Sequence, residues 1–313
     1  LGNPWVVTSA VLKDLTEKNA QESGVKVGQL IYEPSGKNTA AAIALVCRIL
    51  ELQGLENEIV GIFPADHLVT KEQQFHDAIR FAEQLARDGQ IVTLGIRPSH
   101  PETGFGYIQT EKQAQRQEKG IGAHSVMRFH EKPNFEKAAS FVADGSYCWN
   151  AGIFVFRASV MRDLLRKHEP DVWLPLDGLQ KDLGNLEAVY SAIKSISIDY
   201  AVMEKIGGTG LLSCLPVDIG WSDVGSWDAV AHESQARGKT PSERVHLIDS
   251  DNVYLQVPKT KTVAVIGVSD IQVVDTGDVL LICRKGESQR VREVVEALTR
   301  SKDPVLVEPP ESR

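Results

Sequence analysis

The chain has 313 residues and a mass of 34.4 kDa, with 42% hydrophobic and 24% charged residues, a composition that excludes a disordered protein. Its formal net charge is −8, its pI is near 5.6, and it carries no basic stripe, which argues against nucleic acid or an anionic membrane as partner. No apolar run approaches the roughly 18 residues of a membrane span, and no signal-peptide pattern opens the chain.

The first half alternates strand-like and helix-like segments. Residues 4–8 read as a strand and 11–21 as a helix; 29–32 is a strand followed by a helix over 38–52. On that helix Ile43, Val46, Cys47 and Leu50 recur at the spacing of a sheet-packing face. A strand over 58–63, a helix over 73–87 with Phe75, Ile79 and Ala82 on one side, and a strand over 90–96 continue the rhythm. Such alternation predicts an α/β fold with a doubly wound, mainly parallel sheet. In the middle, 105–109, 125–129 and 148–156 read as strands, and 136–144 and 159–168 as helices. The polar stretch 233–245 reads as a linker. Beyond it lie short β runs over 252–257, 262–268, 271–274 and 279–283 and a closing helix over 291–298. Two domains are expected, 1–240 and 241–313, the second a small β domain; it lacks strict hexapeptide periodicity.

The four cysteines, Cys47, Cys148, Cys214 and Cys283, stand apart inside apolar runs. They read as free thiols, which suits a reducing cytoplasm. Two aspartates, Asp66 in Phe63-Pro64-Ala65-Asp66-His67 and Asp223 in Ile219-Gly220-Trp221-Ser222-Asp223-Val224-Gly225, each follow an apolar run and meet a turn. Ligands of open α/β sheets bind at the carboxyl ends of strands, and two carboxylates converging there suit a hard divalent cation such as magnesium together with substrate phosphates.

Further segments then fall into order: Glu33-Pro34-Ser35-Gly36-Lys37-Asn38-Thr39-Ala40, Pro101-Glu102-Thr103-Gly104-Phe105-Gly106-Tyr107-Ile108, Phe129-His130-Glu131-Lys132-Pro133, Trp149-Asn150-Ala151-Gly152 and Ser197-Ile198-Asp199-Tyr200-Ala201-Val202-Met203-Glu204. With the two aspartate segments they run nearly the whole chain. In this series the chain resembles the mannose-1-phosphate guanylyltransferases, sugar nucleotidyltransferases that make GDP-mannose.

The resemblance implies a Rossmann-like nucleotidyltransferase domain, a short β-helix-like tail, and GTP and mannose-1-phosphate as substrates. It implies magnesium on Asp66 and Asp223, Lys132 and Glu131 beside the sugar and its phosphate, and Gly106, Asn150 and Asp199 lining the sugar site. Asn38 and Thr39 would contact the nucleoside. A cytoplasmic homodimer is implied as well, and no His-x-His cluster marks a fused isomerase domain. The family also opens with a strand and a glycine-rich phosphate loop that have no counterpart here. The chain starts with Leu1 at what matches the second strand, so the natural protein is expected to carry an upstream segment.

Each position has a plainer reading. Asp66, Asp223 and Asn38 suit helix caps or turns, Lys132 an exposed strand end, Asn150 a turn, and Asp199 a solvated strand end. His67 stays structural, since a sugar phosphate is already ionised near neutral pH. Asp249-Ser250-Asp251 mimics the Asp-x-Asp motif of glycosyltransferases but sits between short β runs, where a turn fits better. A glycosyltransferase, a non-catalytic nucleotide-sugar-binding subunit, and a nucleotidyltransferase for another base or sugar are the competing functions.

Overall fold

The structure is a computed structural model that describes residues 2–236 and 244–306. The elements are β1 (Trp5–Ser9), α1 (Lys13–Glu22), β2 (Gln29–Glu33), α2 (Thr39–Leu52), β3 (Ile59–Ile62), β4 (Leu68–Val69), α3 (Glu72–Arg87), β5 (Ile91–Ile96), β6 (Tyr107–Thr110), β7 (Arg116–Glu118), β8 (Ile121–His130), α4 (Phe135–Asp144), β9 (Tyr147–Arg157) and α5 (Ala158–His168). Then come α6 (Pro170–Trp173), α7 (Leu186–Ser191), a π-helical turn (Asp199–Met203), α8 (Glu204–Ile206), β10 (Leu212–Pro216), β11 (Trp221–Ser222) and α9 (Trp227–Ala236). The tail holds β12 (Val245–Ile248), β13 (Tyr254–Gln256), β14 (Val263–Ile266), β15 (Ile271–Asp275), β16 (Leu280–Arg284) and α10 (Val291–Ser301).

By their internal contacts the residues form two units. One runs to Ala65 and resumes over Val69–Trp221; the other joins Asp66–Leu68 to Ser222 and beyond. Of the stretch read as a linker, residues 233–236 continue α9, and 237–243 lie outside the described residues.

The first unit is built on a seven-stranded sheet, ordered β10-β5-β9-β6-β8-β7 with β3 on β9. Burial on both faces follows from the strand residues: along β5, Ile91 enters one core and Val92 and Leu94 the other. Helix α3 covers one face with Ala78, Ile79, Phe81, Ala82 and Leu85. Phe81 is 1% exposed, and burying a side chain of that size contributes roughly 1.5–3 kcal/mol. Helices α2 and α5 cover the other face, with Ile43, Val46, Cys47 and Leu50 of α2 turned inward as their spacing predicts.

The pairing within this sheet is mixed. Among the described residues only β5–β10 is parallel; β9 runs antiparallel to β3, β5 and β6, and β8 antiparallel to β6, β7 and β10. Hydrophobic periodicity reports that a segment is a strand but carries nothing about its direction, which is why a mainly parallel sheet is expected and a mixed one found. β1 and β2 form a separate parallel pair.

The second unit contains a short solenoid. Strand β12 pairs in parallel with β14, and β13 with β15. Hydrogen bonds between Asp251 N and Ser269 Oγ (3.1 Å), Val268 N and Ser250 Oγ (3.2 Å), and Asn252 Nδ2 and Asp270 Oδ1 (2.6 Å) repeat the same 18-residue offset. The coil therefore stacks on itself every 18 residues although no hexapeptide signal marks it. Asp249-Ser250-Asp251 is its turn, with Asp249 in the left-handed region at φ 48°. Helix α9 is pinned to this unit through Asp228, whose carboxylate accepts from Gln272 Nε2 (2.7 Å), Gly286 N (2.6 Å) and Ser288 N (3.2 Å). All four cysteines are free; three are buried and Cys283 is partly exposed.

Candidate active site

The end of β8 begins the site. Glu131 and Lys132 follow its last residue, and Lys132 adopts a left-handed backbone (φ 46°) immediately before Pro133. A non-glycine residue in that region carries strain that the surroundings must sustain. The turn leaves the Glu131 side chain 11% exposed and the Lys132 side chain 64% exposed, with Nζ 3.4 Å from Glu131 Oε1. Asn134 then caps α4 by accepting from Lys137 N at 3.0 Å. His130, Glu131, Lys132, Lys137 and Glu204 line a cavity of about 240 Å³ here, and Glu204 Oε1 accepts from Glu131 N at 3.2 Å.

Asn150 comes from a bulge in β9. Thr93 and Gly95 of β5 pair with Phe154 and Asn150, so two steps along β5 match four along β9. Gly152 makes the bulge possible at φ 67°, where a side chain would be strained. Bulges of this kind re-aim a side chain: Asn150 Nδ2 donates to Asp199 Oδ1 (3.0 Å), and its Oδ1 accepts from Gly152 N (3.1 Å) and Thr93 Oγ1 (3.2 Å). Asp199 opens the π-helical turn, an arrangement frequent at functional sites.

Gly106 sits against the same group. A Cβ there would lie 2.6 Å from Glu131 Oε2 and 3.3 Å from the Asn150 Cβ, and Gly106 O accepts from Asn150 N at 2.8 Å. Five of the residues singled out in the sequence, Gly106, Glu131, Lys132, Asn150 and Asp199, thus gather in one place. Burial, reinforced by the Asp199 charge, pushes the Glu131 carboxyl up to about 7, against the opposing pull of Lys132. Burial also raises Asp199, while hydrogen bonds from Ser197 and Asn150 and the Lys132 charge act the other way. Such an environment suits carboxylates that exchange hydrogen bonds with hydroxyl groups, beside an exposed cation of the kind that meets anions.

Asn38 and Thr39 stand next to the loop that leads into Asp199. Asn38 caps α2, accepting from Thr39 N at 2.8 Å, with its own backbone at φ 67° and ψ 177°, a region essentially reserved for glycine. Thr39 Oγ1 accepts from Ile198 N at 2.9 Å. The cap reading of Asn38 is therefore correct, and it coexists with a strained backbone.

Asp66 and Asp223 lie in the second unit, in the two segments that its contacts bring together. The Asp66 side chain is 86% exposed, and Oδ1 is 3.9 Å from His67 Nε2. Asp223 is followed by Val224 at φ 47°, an outlier for a β-branched residue; Ser222 Oγ accepts from Val224 N at 3.3 Å. A Cβ on Gly225 would lie 2.5 Å from Asp223 Oδ2, so glycine leaves the room that this carboxylate occupies. Among the described residues no group of three or more His, Cys, Asp or Glu side chains could hold a metal ion. Two oxygen-donor carboxylates fit a hard cation that takes its other ligands from phosphate and water, as magnesium does.

Two members of the cluster escape sequence reasoning. Thr93 is a single hydroxyl in the apolar strand Ile91–Ile96, a signal only in hindsight. Glu204 stands in the Ser197–Glu204 segment with nothing in its local pattern to mark it.

Comparison with known proteins places these features in context. Residues 3–239 match the family model for nucleotidyl transferase, and residues 243–298 that for a MannoseP isomerase/GMP-like beta-helix domain. The alginate biosynthesis protein AlgA of Pseudomonas aeruginosa is 36% identical over 304 residues, 94% of this chain and 62% of that protein. Mannose-1-phosphate guanylyltransferase 2 of Escherichia coli O157:H7 is 35% identical over 94% of this chain and 63% of its own length. The chain thus spans less than two thirds of these curated relatives. A crystal structure described as mannose-1-phosphate geranyltransferase from Thermus thermophilus superposes with a TM-score of 0.78 at 30% identity, covering 94% of this chain and 84% of that one. Among the described residues no helix is long and apolar enough to cross a membrane.

Proposed function

The chain belongs to the nucleotidyl transferase family, and from that premise we propose that it transfers GMP from GTP to mannose-1-phosphate, giving GDP-mannose and pyrophosphate. The observation that carries this reading is the gathering of Gly106, Glu131, Lys132, Asn150 and Asp199 around one polar pocket. Two relatives' names point to the same sugar phosphate.

An oxygen of the sugar phosphate bonds to the α-phosphorus of GTP as the bond from that phosphorus to pyrophosphate breaks. No proton need be removed, because a phosphate monoester is largely ionised near neutral pH. The protein's task is in-line positioning and charge neutralisation. Glu131 and Asp199 accept hydrogen bonds from sugar hydroxyls. Asn150 holds Asp199 in place, and Gly106 leaves space for both the Glu131 carboxylate and the sugar. Lys132, the most exposed member, offsets the charge of the incoming phosphate. Asn38 and Thr39, at the start of α2, contact the nucleoside.

The family generally works with a divalent metal; we assign magnesium, held by Asp66 and Asp223. When bound, it would neutralise charge building on the phosphate oxygens. We further assign the protein to the cytoplasm, as a homodimer.

The test is magnesium-dependent pyrophosphate release from GTP with and without mannose-1-phosphate, with ATP and UTP as comparators, alongside calorimetric binding of GDP-mannose. Release that requires both GTP and mannose-1-phosphate supports the proposal. Preference for another nucleotide or sugar phosphate would replace its substrates, and GDP-mannose binding without turnover would make the chain a binding subunit.

A further inference from the structure

We infer that Thr93 is a positioning residue for sugar recognition: its buried hydroxyl braces the Asn150 carboxamide in the orientation that faces Asp199. The inference rests on the assignment of Asn150 and Asp199 to the sugar pocket.

Thr93 is 0% exposed and lies at the centre of β5 between strands β9 and β10. Its neighbours along the strand, Ile91, Val92 and Leu94, are fully buried apolar residues. Valine has nearly the same shape, so packing alone does not call for a hydroxyl here. A buried hydroxyl needs a partner, and the short contact available to Thr93 Oγ1 is Asn150 Oδ1 at 3.2 Å; its approach to Leu94 O is 3.5 Å.

The consequence lies at the other end of the amide. The two ends of a carboxamide differ only in whether they donate or accept. Gly152 N can only donate, so it takes Oδ1 and leaves Nδ2 to donate to Asp199 at 3.0 Å; the Thr93 hydroxyl, donating to the same Oδ1, braces the amide in that orientation. A flipped amide would set oxygen against carboxylate. Asp199 is partly buried, and a donor at that point keeps its ionised form available to a sugar hydroxyl. The bulge in β9 brings Asn150 opposite Gly95 while leaving Thr93 two positions away on the same face of β5. The strand that fills the core thereby also orients the pocket.

The experiment compares wild type, Thr93→Val and Thr93→Ser. The valine variant is expected to raise KM for mannose-1-phosphate about 3- to 10-fold, the loss of one neutral hydrogen bond, with KM for GTP unchanged and serine restoring wild-type behaviour within about twofold. A second readout needs no turnover: the Asp199 carboxyl, followed by carbon-13 NMR, should titrate at higher pH in Thr93→Val than in wild type, and return in Thr93→Ser. An unchanged Asp199 titration in a folded Thr93→Val protein would overturn the inference. So would equal losses for both substrates, or failure of serine to rescue. A wild-type protein that ignores mannose-1-phosphate while Asp199 still responds to Thr93→Val would overturn the sugar assignment and retain Thr93 as the anchor of Asn150.

Discussion

Replacing Gly106 with alanine should disable sugar recognition without unfolding the protein. The added Cβ would meet Glu131 Oε2 at 2.6 Å, the Asn150 Cβ at 3.3 Å and Phe129 Cε1 at 3.4 Å. The first distance is about 1 Å short of ordinary contact. Phe129 is 5% exposed and fixed in the core, and Asn150 is held on all sides by hydrogen bonds, so the free end of Glu131 must move. Swinging that carboxylate out removes a hydrogen bond between a charged acceptor and a sugar hydroxyl, worth about 1.5–3 kcal/mol, or a roughly 10- to 150-fold rise in KM for mannose-1-phosphate. Gly106 is outside the left-handed region, so alanine there should leave the melting temperature nearly unchanged. The assay is steady-state pyrophosphate release with mannose-1-phosphate varied at saturating GTP, beside a thermal melt. Pairing Gly106→Ala with Glu131→Asp, which draws the carboxylate back by one methylene, should lose less than the two single effects combined. An unchanged KM in Gly106→Ala would refute the reasoning, as would strict additivity in the pair.

Raising pH through about 7 ionises Glu131, so KM for mannose-1-phosphate should fall across that range, and Glu131→Gln should abolish the dependence. The sign for stability is opposite. A carboxyl raised in the folded state binds more protons there than in the unfolded chain, so its contribution is present below the ordinary glutamate range and lost as pH rises through about 7. Urea melts of wild type against Glu131→Gln read this out. Asp66→Asn and Asp223→Asn should each reduce turnover at least about 100-fold, the scale of losing one transition-state electrostatic contact. Their melting temperature should stay near wild type, and excess magnesium should restore part of the activity. Asp228→Ala removes the acceptor of Gln272, Gly286 and Ser288. It should destabilise the second unit by about 2–3 kcal/mol, seen as faster hydrogen exchange over residues 245–290 with exchange in β5 and β9 unaffected. Burial pushes the Asp228 carboxyl up, but these hydrogen bonds outweigh it and hold it below the usual range. Its stabilisation is therefore lost as pH falls through that lowered value.

Several features of this protein were decided locally and were therefore legible along the chain. The inward face of α2 follows from a 3.6-residue period in Ile43, Val46, Cys47 and Leu50, and the Asn38 cap and the Asp249–Asp251 turn from side chains that compete with their own backbone. The motif series from Asn38 to Asp223 points to one family and names five residues that the fold brings together. Long-range pairing was not legible, because a strand's apolar pattern is the same whichever way it runs. The antiparallel insertion of β9, its bulge at Asn150, and the 18-residue stacking of the tail appear only when distant segments meet. Nor can a residue type reveal burial. Glu131 titrates near 7 because of what surrounds it, and Thr93 matters because the fold seals its hydroxyl against Asn150. Sequence by itself determined most of the elements that form and named the side chains proposed here for the site, since both are marked by near neighbours. Tertiary structure alone decided strand direction, the orientation of the Asn150 amide and the protonation of its carboxylate neighbours, since these depend on groups that only folding brings within a few ångströms.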